Sequence, residues 1–259
     1  MKIGVFDSGL GGLSVLRHLR SALPKAGFLY IADSINAPYG NKNDAFIAER
    51  SLAISEFLLQ QQVSAIVVAC NTATAAAVQL IRQQSPVPVV AIEPALKPAA
   101  KLSQSKKIGV LATESTLKSE KYQSLMSRVA DNIYCYQQAA HGLVEQVEAG
   151  VIDEAMTRQL LKQYLLPMLE KGVDTIVLGC THYPFLIPVI RQLVGEELNI
   201  IDTGRAVSEQ LLRVLAEENQ SANHDIKQHR FFSSGDLLHA ENMIEHLLGE
   251  KVNVEPLTV

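Results

Sequence analysis

Short apolar runs recur along the whole chain, separated by polar turns and by longer stretches of helical periodicity. Runs of β-branched and aliphatic residues at 2–7, 28–32, 65–70, 87–92, 107–113, 132–137, 175–180, 199–202, 229–233 and 252–257 predict strands. A strand buried on both faces reads as a continuous apolar run, not as an alternation of apolar and polar positions. Helical patterns fill the gaps. From Asp44 to Gln61, the residues Phe46, Ile47, Leu52, Ile54, Phe57, Leu58 and Leu59 supply one apolar side, and a further helix is predicted from about Asp236 to Leu248. Strand and helix in alternation imply right-handed βαβ units and parallel sheets.

Two segments of this pattern look like copies. Ala65-Ile66-Val67-Val68-Ala69-Cys70-Asn71-Thr72 is matched 110 positions later by Thr175-Ile176-Val177-Leu178-Gly179-Cys180-Thr181-His182. Lys2-Ile3-Gly4-Val5-Phe6-Asp7-Ser8 is matched 105 positions later by Lys107-Ile108-Gly109-Val110-Leu111-Ala112-Thr113. Two matches in the same order point to an internal repeat. The expected fold is therefore α/β: two pseudo-symmetric doubly wound domains with mostly parallel sheets and the active site in the cleft between them. The first half closes near Pro94 to Pro98 and the second runs to about Thr203. The expected domains are thus residues 1–97 plus 206–259, a discontinuous N-terminal α/β domain, and 98–205, a second α/β domain.

Composition narrows the class. The 259 residues are 47% hydrophobic and 19% charged, an ordinary globular balance with ample core. A formal net charge of −4 without any Lys/Arg run argues against a nucleic-acid partner. Asp7 interrupts the apolar start too early for a secretory signal, and Ala65 to Ile81 is broken by Asn71, Thr72 and Thr74. No membrane partner is expected. Three cysteines, an odd number, fit a reducing cytoplasm better than a disulfide framework, and the most polar stretch, Glu217 to Gln228, reads as an exposed loop.

The chemistry lies in the cysteines. Cys70 and Cys180 each sit where a strand stops, followed by hydroxyl or amide side chains and a helical pattern. In open α/β sheets that end of the strand is where ligands bind. Two thiols on duplicated scaffolds suit chemistry acting on both faces of one carbon, with one as base and the other as acid. A cysteine thiol has a pKa of about 8.5 that is readily tuned, so thiol and thiolate can share a site. The competing readings are a metal site, a redox pair or buried structural thiols. Zinc needs three or four ligands and only His182 lies near either cysteine, while no Cys-x-x-Cys is present. Cys135, inside Ile133-Tyr134-Cys135-Tyr136, has no polar turn beside it and reads as structural.

Four motifs together resemble one family. They are Asp7-Ser8-Gly9-Leu10-Gly11-Gly12; Tyr30-Ile31-Ala32-Asp33 followed by Pro38-Tyr39-Gly40; Cys70-Asn71-Thr72-Ala73-Thr74; and Cys180-Thr181-His182-Tyr183-Pro184. In this order, and on to the turn Ser233-Ser234-Gly235-Asp236, the chain resembles the glutamate racemases. The resemblance implies a cofactor-independent interconversion of L- and D-glutamate that supplies D-glutamate for peptidoglycan, in two pseudo-symmetric domains and a homodimer. It also implies that Asp7 and His182 adjust the protonation of the two thiols, and that Glu148 assists Cys180 on its side. The segment before Glu148 departs from the family, with Ala140-His141 where Cys-Pro is common, and leaves Glu145 as an alternative.

No arginine occupies any of the four motifs, although arginine is the usual bidentate carboxylate binder. The substrate is expected to be held by Asp7, Ser8, Asn71, Thr72, Thr181, His182 and the Tyr39-Gly40 turn, with Thr113 and Thr116 added. Gly9, Gly11 and Gly12 suit an anion nest, whereas the G-x-G-x-x-G spacing of a dinucleotide site is absent. The alternatives are an aspartate or hydantoin racemase of the same superfamily, or a non-catalytic amino-acid sensor on this scaffold. A silent sensor is expected to have lost one of its cysteines, and this chain keeps both.

Overall fold

The computed structural model describes residues 1–129, 133–218 and 228–259. Residues 219–227 of the expected polar loop, and residue 132 of one expected strand, lie outside the described residues. The first elements are β1 (Lys2–Asp7), α1 (Leu13–Ala22), β2 (Gly27–Ala32), α2 (Asp44–Gln60), β3 (Ala65–Val68), α3 (Asn71–Gln84) and β4 (Val89–Ala91). Then come α4 (Leu96–Leu102), β5 (Lys107–Ala112), α5 (Glu114–Lys118), α6 (Glu120–Ser127), β6 (Tyr134–Ala139), α7 (Leu143–Glu148) and α8 (Ala155–Glu170). The last are β7 (Thr175–Leu178), α9 (Ile187–Val194), β8 (Asn199–Ile201), α10 (Gly204–Glu217), β9 (Arg230–Ser233), α11 (Leu237–Leu248) and β10 (Val254–Pro256). The chain divides into two compact units, Met1–Ile92 with Gly204–Val259, and Glu93–Thr203.

Each unit is built on one sheet whose described pairings are all parallel. The first has the order β10-β9-β2-β1-β3-β4 and the second β6-β5-β7-β8. The sequence echoes map one sheet onto the other: β2-β1-β3-β4 has the same order as β6-β5-β7-β8. The register matches as well. Gly4 pairs with Ile66 and Gly109 with Ile176, while Val67 pairs with Val90 and Val177 with Ile201.

Side chains alternate across the second sheet as the pleat requires. Ile108, Val110, Ala112 and Val177 point into a layer with Leu96, Tyr122 and Leu125. Leu111, Ile176 and Leu178 point into the opposite layer with Leu143, Leu161, Leu165 and Met168. The repeated Lys-Ile-Gly-Val has a packing cause. A Cβ on Gly4 would lie 2.8 Å from Leu58 of α2, and one on Gly109 would lie 2.6 Å from Met168 of α8. In both units a bare strand position lets a covering helix close on the central strand.

α2 begins where Asn43 accepts a hydrogen bond from the Phe46 amide at 2.9 Å, an N-cap. Its buried face is Ile47, Ser51, Ile54, Ser55 and Leu58, with Leu52, Phe57 and Leu59 on the flanks. The strand expected at 132–137 lies two residues later, at Tyr134–Ala139, and is an edge strand with Tyr134 exposed. Tyr136 packs against the core while Tyr134 does not, and the two rings meet at a tilt of 45° with centroids 4.9 Å apart. Among the described residues no helix is long and apolar enough to cross a membrane.

The packing of Gly179 yields a test of the duplicated sheet end. A Cβ there would lie 2.9 Å from Ala112 Cβ and 3.1 Å from the Leu111 carbonyl oxygen, a main-chain atom that cannot swing aside. Gly179→Ala is expected to cost about 1–3 kcal/mol in urea unfolding, the range for overpacking. Gly109→Ala, which meets only the ends of the Ile176 and Met168 side chains, is expected to cost less.

Candidate active site

The Cys70 cluster is assembled at the carboxyl ends of β1 and β3. Past the last residue of β3, the Ala69 amide donates to the Phe6 carbonyl at 2.8 Å, so the ladder runs one residue further before the chain turns. Cys70 is then the N-cap of α3, its sulfur accepting from the Ala73 amide at 3.3 Å. The thiol is 5% exposed and lies 3.8 Å from the Ser8 hydroxyl. Ser8, Asn71, Thr72 and Tyr39 are all buried beside or near it. Both side-chain amide atoms of Asn71 are buried with no protein partner among the described residues. A buried amide left unpaired is costly, and such an atom in a native site calls for a ligand or water.

Asp7, wholly buried at the end of β1, accepts from the Gly12 amide at 2.9 Å. The glycine loop therefore differs from the expected nest. Gly12 sits in ordinary helical conformation with its amide committed to Asp7, and a Cβ there would lie 2.7 Å from Asp7 Cβ and 2.9 Å from the Tyr30 hydroxyl. Gly9 offers its carbonyl, which accepts from Tyr30 at 2.7 Å. Close approach to the carboxylate, not left-handed backbone, requires glycine at position 12.

The Cys180 cluster repeats the strand end with a different turn. Gly179 donates to the Leu111 carbonyl at 2.7 Å, as Ala69 does in the other unit. One position past the amide that donates to the Cys70 sulfur, the copies part. Thr74 donates to the Cys70 carbonyl at 2.9 Å as the first α-helical bond. Its counterpart is Pro184, which has no N–H. Tyr183 donates to the Cys180 carbonyl instead, at 3.2 Å, and one 3₁₀ turn (Tyr183–Leu186) precedes α9. The amide that would face the sulfur is thus engaged with a carbonyl. The partner of the sulfur is His182, whose Nδ1 lies 3.6 Å from Cys180 Sγ and whose Nε2 lies 2.5 Å from Glu148 Oε1.

His182 is 1% exposed. Burial alone would drive its pKa down, but the Cys180 sulfur and the Glu148 carboxylate hold it well above the usual histidine value. As an imidazolium it donates from both ring nitrogens, one toward each partner. Glu148, and not Glu145, is the carboxylate in contact. On α7 the buried positions are Leu143, Val144 and Val147, which turn Glu148 inward and leave Glu145 exposed. Thr181 is buried beside Cys180.

Thr113 caps α5, accepting from the Thr116 amide at 3.2 Å and donating to the Thr116 hydroxyl at 2.9 Å. Cys135 is half-buried on β6, its thiol pushed up to about 11 by burial, with the Tyr122 hydroxyl beside it pulling the other way. Among the described residues no three His, Cys, Asp or Glu side chains group as they would around a metal ion. Three residues given no role in the sequence reading stand out. Tyr183, fully buried, donates to the Ala140 carbonyl at 3.1 Å. Asp33, buried, and Arg50, half-buried, form an ion pair at 2.9 Å, seventeen positions apart and with no local spacing to signal it.

Comparison with known proteins agrees with these features. The Asp/Glu/Hydantoin racemase family profile matches residues 3–211. A glutamate racemase of Ralstonia nicotianae is 51% identical over 248 residues, 96% of this chain and 90% of that protein. Among solved structures, a glutamate racemase isoform from Bacillus anthracis is 33% identical with a TM-score of 0.89, over 99% of this chain and 97% of that one. Escherichia coli glutamate racemase, solved with L-glutamate and the activator UDP-MurNAc-ala, is also 33% identical, with a TM-score of 0.89 over 99% and 98% of the two chains. The chain belongs to the glutamate racemases, within the Asp/Glu/hydantoin racemase family.

Proposed function

We propose that the protein interconverts L- and D-glutamate by a cofactor-independent two-base reaction that supplies D-glutamate for peptidoglycan. Cys70 takes the α-proton from D-glutamate while Cys180 delivers one to the opposite face, and the reverse path begins at Cys180. The observation that carries this reading is that equivalent strand ends present two thiols, each with a donor aimed at its sulfur. For Cys70 the donor is the Ala73 amide at the start of α3, where the helix dipole favours a negative sulfur. For Cys180 it is His182, held by Glu148. Asp7, packed against the glycine loop, adjusts the protonation of Cys70.

The α-proton of an amino acid is weakly acidic, so the carbanion needs electrostatic support in a dry site. Asn71, with both amide atoms unpaired, supports a role in holding a substrate carboxylate. Ser8, Thr72, Thr113, Thr116, Thr181, His182 and the Tyr39-Gly40 turn complete the binding set. The enzyme works in the cytoplasm, in keeping with three cysteines joined in no disulfide among the described residues, and as the homodimer that the family resemblance implies.

The test follows racemisation of D-glutamate by optical rotation, with aspartate and hydantoins as competing substrates. Inversion of glutamate alone supports the proposal; silence, or preference for another substrate, overturns it. Cys70→Ser and Cys180→Ser should each slow both directions by about 10²–10⁴-fold, the range for a lost acid or base. Both directions slow together because enantiomers have an equilibrium constant of one. The isotope effect separates them: α-deuterated D-glutamate should show the larger primary effect in Cys70→Ser, and α-deuterated L-glutamate in Cys180→Ser. Cys135→Ser should leave turnover intact.

A second prediction concerns His182. By NMR its ring should keep its proton well above pH 6.5, the ordinary midpoint. Glu148→Gln removes a charge that holds the proton while burial remains, so the midpoint should fall. An unmoved midpoint would detach Glu148 from the Cys180 thiol.

A further inference from the structure

Asp33 follows β2 and is wholly buried, and it gathers four donors from separate pieces of the first unit. Its Oδ2 accepts from the Tyr39 hydroxyl at 2.6 Å, from Asn36 Nδ2 at 3.0 Å and from Arg50 Nε at 3.1 Å. Its Oδ1 accepts from Arg50 Nη2 at 2.9 Å. Ser234, in the turn after β9, accepts from the Ile35 amide at 3.1 Å and ties that turn to the loop after Asp33. Tyr39 is 1% exposed and packs in one core layer with Cys70. The 3₁₀ turn that carries it, Tyr39–Asn41, packs on α3, the helix capped by that cysteine.

We propose that Arg50 is a positioning residue for the Cys70 face, acting through Asp33 and Tyr39. Its guanidinium neutralises a buried carboxylate that pins the Tyr39-Gly40 turn against the cysteine. A bidentate arginine is suited to this, since it satisfies both carboxylate oxygens in a fixed plane. Without it Asp33 has two outcomes. If it stays ionised, a buried uncompensated anion lies one residue removed from Cys70 and disfavours a second negative charge there. If it binds a proton, it becomes a donor competing with the Tyr39 hydroxyl, and the turn loses its anchor. Both outcomes weaken the thiolate that removes the proton from D-glutamate. The partners agree in direction: burial would raise the Asp33 pKa, but Arg50, Tyr39, Ser234 and Asn36 hold it below the ordinary value.

This inference rests on the two-thiol reading, and the experiment separates the two. Arg50→Met is compared with the parent enzyme and with Cys70→Ser, using D- and L-glutamate deuterated at the α-carbon. In Arg50→Met, kcat/KM should fall about tenfold in both directions, the effect of one pKa unit in the base. The primary isotope effect should rise for D-glutamate and not for L-glutamate. Arg50→Lys restores the charge without the planar fork, so it should recover the parental isotope pattern while KM stays raised. Parental isotope effects in Arg50→Met, or an equal rise for both enantiomers, would overturn the inference and leave the two-thiol reading standing. A Cys70→Ser enzyme without the D-side bias would overturn both. If Arg50→Met does not fold, Asn36→Ala removes one Asp33 donor without exposing a charge. It should shift the D-to-L isotope ratio the same way by a smaller factor, and an unchanged ratio overturns the inference.

Discussion

One hydrogen bond past the end of each strand governs the placement of the chemistry. Ala69 donates to Phe6 at 2.8 Å and Gly179 to Leu111 at 2.7 Å. These rungs hold the chain in parallel register for one residue after β3 and β7 have ended. The next residue, a cysteine in each case, is the first free to leave the sheet. A slip of one residue would turn every side chain of the strand to the other face. Val177 and Ile176 already face opposite apolar layers, so such a slip would disrupt both layers as well as the thiol. The hydrophobic layers therefore fix the register, and the register fixes the sulfur.

The two sheets share strand order and register, yet their thiols differ in support. The difference traces to one residue type. Thr74 can donate an amide where Pro184 cannot, so one chain enters an α-helix and the other a 3₁₀ turn. A buried imidazole then stands near the second sulfur in place of a main-chain amide. A duplicated scaffold has thus kept its position for a thiol while exchanging the group beside it.

Much of this was readable from residues in order. All ten strands among the described residues fall within a few residues of the apolar runs, because strands covered on both faces leave an unbroken hydrophobic signature. The cysteines at 70 and 180 were legible for the same reason: each closes such a run. What eluded the sequence depended on tertiary placement. β6 is an edge strand, where Tyr134 is exposed within an otherwise apolar run. The choice of Glu148 over Glu145 rests on which side of a six-residue helix is buried, and that helix is too short for its periodicity to decide. The Asp33–Arg50 pair joins a loop to a helix, and the glycine loop closes on Asp7 through packing that only the fold reveals.

The contrast between an amide and an imidazole has an evolutionary consequence. The donor to Cys70 belongs to the main chain of residue 73, so its chemistry does not depend on a particular side chain, proline excepted. The donor to Cys180 is a side chain, steadied by a second side chain from another helix. Drift at positions 182 and 148 can therefore remove or replace the donor to one thiol in single steps, while the donor to the other is a main-chain group. Adaptation to a new substrate or a new cellular acidity has an asymmetric route open to it, running through the second unit first.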